Sequence, residues 1–175
     1  MSPDRATLDT LERMATEIRA LKDRVRRLEG QERFRGARAR IYNSANISIA
    51  TGTSTALTFD TEVYDSDGFH STSVNTGRFT IPYSGYYLVG MQARFASNAV
   101  GYRQVFPRLN GSGVFGDVVL DAVGTNVTDI AFVTPIALVA GDYLEFLATQ
   151  TSGGNLNVAF VANFSPVFWI ERLVR

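Results

Sequence analysis

Leu11–Glu29 reads LERMATEIRALKDRVRRLE, and its apolar residues recur in steps of three and four: Leu11, Met14, Ile18, Leu21, Val25 and Leu28. Leu11, Ile18 and Val25 fill the a positions of a heptad, and Met14, Leu21 and Leu28 fill the d positions. Charged residues occupy most of the remaining sites. A helix with so narrow an apolar stripe cannot bury it alone, so the pattern predicts a short coiled coil over residues 1–29. The alternative is an amphipathic helix packed on its own domain.

β-branched residues at a with Leu at d lean toward dimers. Against that lean, Arg24-Val25-Arg26-Arg27-Leu28-Glu29 resembles the Arg-h-x-x-h-Glu trimerisation signature of short coils, where h is apolar. Arg24 falls at g and Glu29 at e, which lets them bridge neighbouring helices while the arginine stem covers the seam. The expected oligomerisation residues are therefore Leu11, Met14, Ile18, Leu21, Arg24, Val25, Leu28 and Glu29, in a homotrimer. Ser2-Pro3-Asp4 supplies a helix start and Gly30 a stop. Residues 30–40 then form a basic linker, which is either a collar for an acidic partner or a solvated spacer.

From Ile41 the texture changes. Runs rich in Val, Ile, Thr, Phe and Tyr alternate with Gly, Asn, Ser and Asp, and helical periodicity vanishes. Strands are expected at 41–50, 56–59, 78–81, 85–96, 104–109, 114–120, 128–138, 143–150, 156–161 and 167–174. Turns are expected at Asp65–Gly68, Asn110–Gly111 and Ser152–Asn155. Ten strands with no helix predict an all-β antiparallel sandwich or jelly roll over 41–175. Of twelve Phe, seven Tyr and one Trp, all but Phe34 lie in this part. That aromatic surface exceeds the needs of one small sandwich, so sister chains are expected to cover the excess around the axis the coil also uses.

Bulk composition narrows the functional classes. Residues 1–40 carry eleven basic and seven acidic side chains, and 41–175 carry six and ten, which leaves the head mildly acidic with no basic face for nucleic acid. There is no Cys, which excludes disulfides and thiolate chemistry. No apolar run reaches the roughly 18 residues of a membrane-spanning helix, and the N-terminus reads as a charged helix rather than a secretory signal. Synthesis in a cytoplasm, without export by the ordinary signal-peptide route, is the expectation.

Gly77-Arg78-Phe79-Thr80-Ile81-Pro82-Tyr83-Ser84-Gly85-Tyr86-Tyr87 resembles the signature of the C1q-like domain, carried by Gly77, Phe79, Thr80, Pro82, Gly85 and Tyr87. Phe59-Asp60, Tyr64-Asp65, Leu109-Asn110-Gly111, Leu138–Leu144 and Asn163–Phe168 resemble further elements of that family, with Pro166 in place of a glycine. The resemblance implies a ten-stranded jelly roll of the C1q and tumour-necrosis-factor type, trimeric, binding other molecules without catalysis. A coil in place of a collagen stalk resembles the C1q-like heads of bacteriophage and bacterial fibre proteins.

Chemistry-bearing residues are few. His70 is the one histidine, and no nucleophile elbow accompanies it. Asp60 and Glu62 supply a carboxylate pair for a glycan hydrolase, or simply a solvated face. Asp65 and Asp67 echo the opening of a calcium loop, but its twelfth position is Thr76 instead of Glu. These two are the only metal candidates, calcium is the only cofactor considered, and the main expectation is none. The reading that follows is a non-enzymatic trimeric virion protein: a short fibre, spike or decoration protein. Its partners are itself, other virion proteins through the N-terminal region, and a host-surface glycan or protein. The exposed loops 64–73, 98–102, 121–126 and 151–155 are the expected recognition segments. The expected final place is the virion, after synthesis in a host cytoplasm; the alternative is a cellular or secreted adhesin with an extracellular location.

Overall fold

The computed structural model describes residues 5–34 and 36–173, with side chains described except at Ala6 and Leu28–Phe34. The helix start expected at Ser2-Pro3-Asp4 lies outside the described residues. The chain divides into two compact units, one ending at Gly36 and one spanning Ala37–Leu173.

The first unit is a single helix, α1 (Arg5–Phe34). It continues past the expected stop at Gly30, and the linker shrinks because the first strand opens at Arg38. One interior glycine costs only about 1 kcal/mol relative to alanine, and Gln31, Glu32 and Arg33 are good helix formers. Exposed pairs Arg13–Glu17 (4.0 Å) and Asp23–Arg26 (3.8 Å) decorate its surface; each contributes at most a few tenths of a kcal/mol. Among the described residues no helix is long and apolar enough to cross a membrane.

The second unit is two antiparallel sheets. The first holds β1 (Arg38–Tyr42), β2 (Ile47–Ile49), β4 (Thr61–Asp65), β6 (Gly85–Phe95), β10 (Thr128–Leu138), β12 (Leu156–Val158) and β13 (Val167–Leu173), in the order β2-β12-β6-β13-β1-β4 with β10 also on β6. The second holds β3 (Thr55–Ala56), β5 (Arg78–Thr80), β7 (Tyr102–Leu109), β8 (Gly113–Val114), β9 (Val118–Asp121) and β11 (Tyr143–Gln150), centred on β11 and β7.

Thirteen strands among the described residues replace the ten expected. The run 41–50 breaks at Asn43–Asn46, where Asn43 Nδ2 donates to the Ala45 carbonyl instead of a ladder. The run 56–59 leaves the second sheet after Ala56, and Asp60 N–H reaches the Tyr42 carbonyl in the first. β4, read from sequence as an acidic cluster before a turn, pairs with β1 through a bulge opposite Arg40/Ile41. Pro107 lies within β7 at a point where neither β8 nor β9 pairs with it, so its missing N–H breaks no ladder on that side.

Between the sheets lies one aromatic core. Phe168 is its hub, with ring centroids 4.0 Å from Phe79, 4.2 Å from Phe146 and 5.7 Å from Phe59. Phe69 meets Phe79 and Tyr87 edge-on at 6.2 and 6.1 Å. All six are buried. The Ser165–Pro166 peptide is cis.

The registers define two ends. β1 begins at the proximal end, together with Tyr86, Leu173 and the loops 66–77, 110–112 and 139–142. The loops 43–46, 50–54, 96–101, 122–127 and 151–155 lie at the distal end. Asp60 braces one of these loops. Its carboxylate accepts from Ser44 N–H (2.9 Å), Ser44 Oγ (2.6 Å) and Thr61 Oγ1 (2.8 Å). Partial desolvation opposes ionisation, but these donors outweigh it and hold the carboxyl below its usual value. The bracing is therefore present above the unfolded carboxylate range and is lost as pH falls through the lowered folded value. Asp60→Ala is expected to lower the melting temperature at neutral pH, with the difference from wild type shrinking in strong acid.

Candidate functional site: an open apolar sheet face and the distal loops

The two outer faces of the sandwich differ in chemistry. On the second sheet the outward residues combine paired polar groups with Phe106, Leu147, Val114 and Val119, the last two 56 % and 49 % exposed at the edge. Glu145 accepts from Arg78 Nε (3.0 Å) on one neighbouring strand and Arg108 Nη2 (2.8 Å) on the other. Gln104 Nε2 donates to both Asp117 oxygens at 2.9 Å, and Ser54 Oγ meets Thr149 Oγ1 at 2.8 Å.

The outer face of the first sheet is apolar and uncovered within the protomer. Strand alternation sends Ile130, Phe132 and Ile136 of β10 inward, and Ala131, Val133, Pro135 and Ala137 outward. On β6 the outward set is Tyr86, Leu88, Gly90 and Gln92, and on β13 it is Trp169, Glu171 and Leu173. Tyr86 is 61 % exposed, Val133 56 % and Leu173 47 %. Val133, Gly90, Trp169 and Arg40 form one row across four strands. A Cβ at Gly90 would collide with Trp169 Cε2 and Cζ2, so the glycine is what lets the indole lie flat on the sheet. The distal end of the face is polar: Arg94 makes a two-pronged bridge to Asp129, 2.7 Å at each prong, and stacks on Phe164 (4.6 Å). Pro135 in the edge strand β10 guards it against open-ended pairing.

The helical unit shows the same unpartnered chemistry. Leu11, Met14, Ile18, Leu21 and Val25 are each at least 50 % exposed. Leu28 and Glu29 have side chains outside the described residues, so the Arg24–Glu29 bridge is too.

The signature residues serve packing and chain crossings. Phe79 is in the aromatic core, and Tyr87 sends its hydroxyl to the Tyr83 carbonyl (2.5 Å), its burial pushing the phenol above its usual value. A Cβ on Gly77 would stand 2.8 Å from the Leu57 carbonyl oxygen, so glycine permits that crossing of chains. Thr80 N–H donates to the Phe69 carbonyl (2.7 Å). Gly85 faces the Arg172 guanidinium, with Pro82 in the turn before it.

Asp65 and Asp67 are brought together, but in the service of a turn. Asp65 Oδ1 accepts from the N–H groups of Asp67 (3.2 Å), Gly68 (2.9 Å) and Phe69 (3.0 Å), and Oδ2 accepts from His70 N–H (2.8 Å). Asp67 takes the Ser66 hydroxyl. A carboxylate ringed by four donors faces positive partial charge already, which is the reverse of a cation's requirement. Among the described residues no group of three or more His, Cys, Asp or Glu gathers into a metal-binding cluster. The hydrolase pair is likewise divided: Asp60 belongs to Ser44 and Thr61, and Glu62 to His70 (2.9 Å).

Three of the four expected recognition loops gather at the distal end, whereas the loop around 64–73 lies at the proximal end, because β4 runs antiparallel to β1. The distal loops 43–54, 96–101, 121–127 and 151–155 contain a single ionisable side chain, Asp121. Beneath them sits Arg103, which sequence reasoning missed. Fully buried, it donates through Nη1 to the carbonyls of Val100 and Tyr102 (3.0 Å each) and through Nη2 to Asn98 (3.1 Å). Its burial lowers the guanidinium from its usual value. The alternation Arg103, Val105, Pro107 was the available signal, since all three point inward.

Two antiparallel sheets wound in this order around one core define a jelly roll of the tumour-necrosis-factor type. The chain matches no family model and no curated protein sequence. Among solved structures it is similar to Eiger TNF from S. frugiperda, with TM-score 0.58 and 13 % identity over 79 % of this chain and 92 % of that one. It is similar also to murine APRIL at pH 5.0, with TM-score 0.60 and 11 % identity over 79 % and 99 %. At such identities the likeness establishes the fold.

Proposed function

We propose that the protein is a homotrimeric, non-enzymatic virion component, a short fibre, spike or decoration protein whose β unit binds a host-surface glycan or protein. The observation that carries the reading is the apolar outer face of the first sheet, which is open in the protomer, whereas the centre of the other outer face is tied up in the Arg78–Glu145–Arg108 pairing. Three copies of that face cover one another, and three copies of α1 bury the stripe from Leu11 to Val25. The N-terminal region meets other virion proteins. The distal loops, almost free of charge and with the one at 96–101 held by Arg103, meet the host.

Trivalency supplies the strength. A head that binds weakly gains orders of magnitude when three act together and many trimers share one particle. Two measurements test this reading: immunogold labelling of purified particles, and adsorption of labelled protein to host cells. Particles without label, or cells that adsorb no more protein than an unrelated trimer, would refute it. Replacing Ile18 and Leu21 together by Asp is expected to weaken the trimer in sedimentation without dissociating it, because the sheet face carries most of the buried area.

A further inference from the structure

The bulge in β4 has a chemical consequence. Glu62 and Asp65 are three residues apart, a spacing that would place them on opposite faces of a regular strand. The register shift opposite Arg40/Ile41 turns both under the loop 66–77. There Asp65 holds the backbone of residues 67–70, and Glu62 meets the His70 ring. The His70 side chain is fully buried and sits edge-on to Phe79 (6.2 Å). Its Nδ1 is 2.9 Å from Glu62 Oε1, and its Nε2 is 3.1 Å from the Thr76 carbonyl oxygen. That same carbonyl accepts Phe59 N–H at 2.9 Å.

The protons of this arrangement can be counted. A carbonyl oxygen only accepts, so Nε2 carries a hydrogen. The Nδ1–Oε1 hydrogen bond contains one more, whichever atom owns it. The closed arrangement therefore holds one proton beyond a neutral imidazole plus an ionised carboxylate. Among the described residues no Arg or Lys forms an ion pair with Glu62 to replace that proton. Asp65 and Asp67 on the same turn are acidic. Arg78 on the strand behind spends its Nε on Glu145 and stacks on Tyr143 at 4.1 Å.

We propose that His70 and Glu62 form a proton-operated latch on the loop 66–77, closed while the extra proton is bound and released as pH rises. The latch ties the edge strand β4, the start of the loop and its end at Thr76 in one contact. Opening it frees the segment that seals the edge between the two sheets, and leaves the β6 core in place. The device is independent of any binding role.

Amide hydrogen exchange on the full chain, corrected for the intrinsic dependence of exchange on pH, tests the proposal. Protection of the loop amides is expected to fall with rising pH by up to about tenfold per pH unit, the limit for one linked proton, while β6 amides stay unchanged. Glu62→Gln offers the ring either a donor or an acceptor, so it should keep the loop protected and flatten the pH profile. Nitrogen chemical shifts of the single histidine give a second readout and should show the extra proton on the ring or in its bond to Glu62. A flat wild-type profile would overturn the latch, and so would a Glu62→Gln profile as steep as wild type, or a neutral imidazole that changes tautomer with loop protection intact.

Discussion

In the proposed trimer, Val133→Asp is expected to separate the chains into protomers while leaving each protomer folded. Val133 points away from the core and is mostly exposed within one chain, so the substitution removes little from the fold. In a trimer covered on this face, the one cation in its row, Arg40, lies three strands away beyond Gly90 and Trp169 and already donates to the Asn163 carbonyl, so the new carboxylate has no partner beside it. An uncompensated charge buried at an interface costs about 3–5 kcal/mol. Each 1.4 kcal/mol is a factor of ten, so association should weaken by at least about 100-fold. Trp169, the single tryptophan, reports the same event: its emission should shift to the red in the variant and upon extreme dilution of the wild type.

Phe168→Ala acts on the other side of the same sheet and should have the opposite signature. Phe168 is fully buried and meets Phe79 and Phe146 of the opposite sheet and Phe59 of the crossing between the sheets. Removing a ring from such a position costs about 3–5 kcal/mol, because the surrounding rings cannot close the cavity. For a unit of this size that corresponds to a fall of about 10–15 °C in melting temperature. Folding and association are lost together here, whereas Val133→Asp separates them; circular dichroism melts run beside sedimentation distinguish the two.

Much of the β unit was legible in the sequence because its constraints are local. Gly77, Phe79, Gly85 and Tyr87 each answer a steric or packing demand that few other residues meet, and it was the resemblance of their motif to the C1q-like signature that implied the jelly roll. Turn residues marked most strand ends for the same reason. The extent of the helix was less legible, since one glycine at position 30 weakens a helix without ending it. β4 was hidden because its pattern is broken by a bulge, and a bulge has no composition of its own.

The candidate site divides along the same line. Surplus aromatic surface was visible as a count, but which face carried it depended on pairing register. The apolar row Val133, Gly90, Trp169 assembles from three strands far apart in sequence. Asp65 and Asp67 stood in the sequence as a turn and only a weak metal candidate, because a calcium loop and a tight turn share their opening residues; in the structure Asp65 takes four N–H donors of that turn. Arg103 escaped notice because a charged residue at an inward position contradicts the usual pattern, and three backbone carbonyls make it tolerable.

Sedimentation equilibrium of the full chain at micromolar concentration tests most directly whether three copies hide these surfaces. The expected mass is three times the 19.2 kDa protomer, unchanged by moderate salt because the covered face is apolar. A mass of one or two protomers would contradict the account.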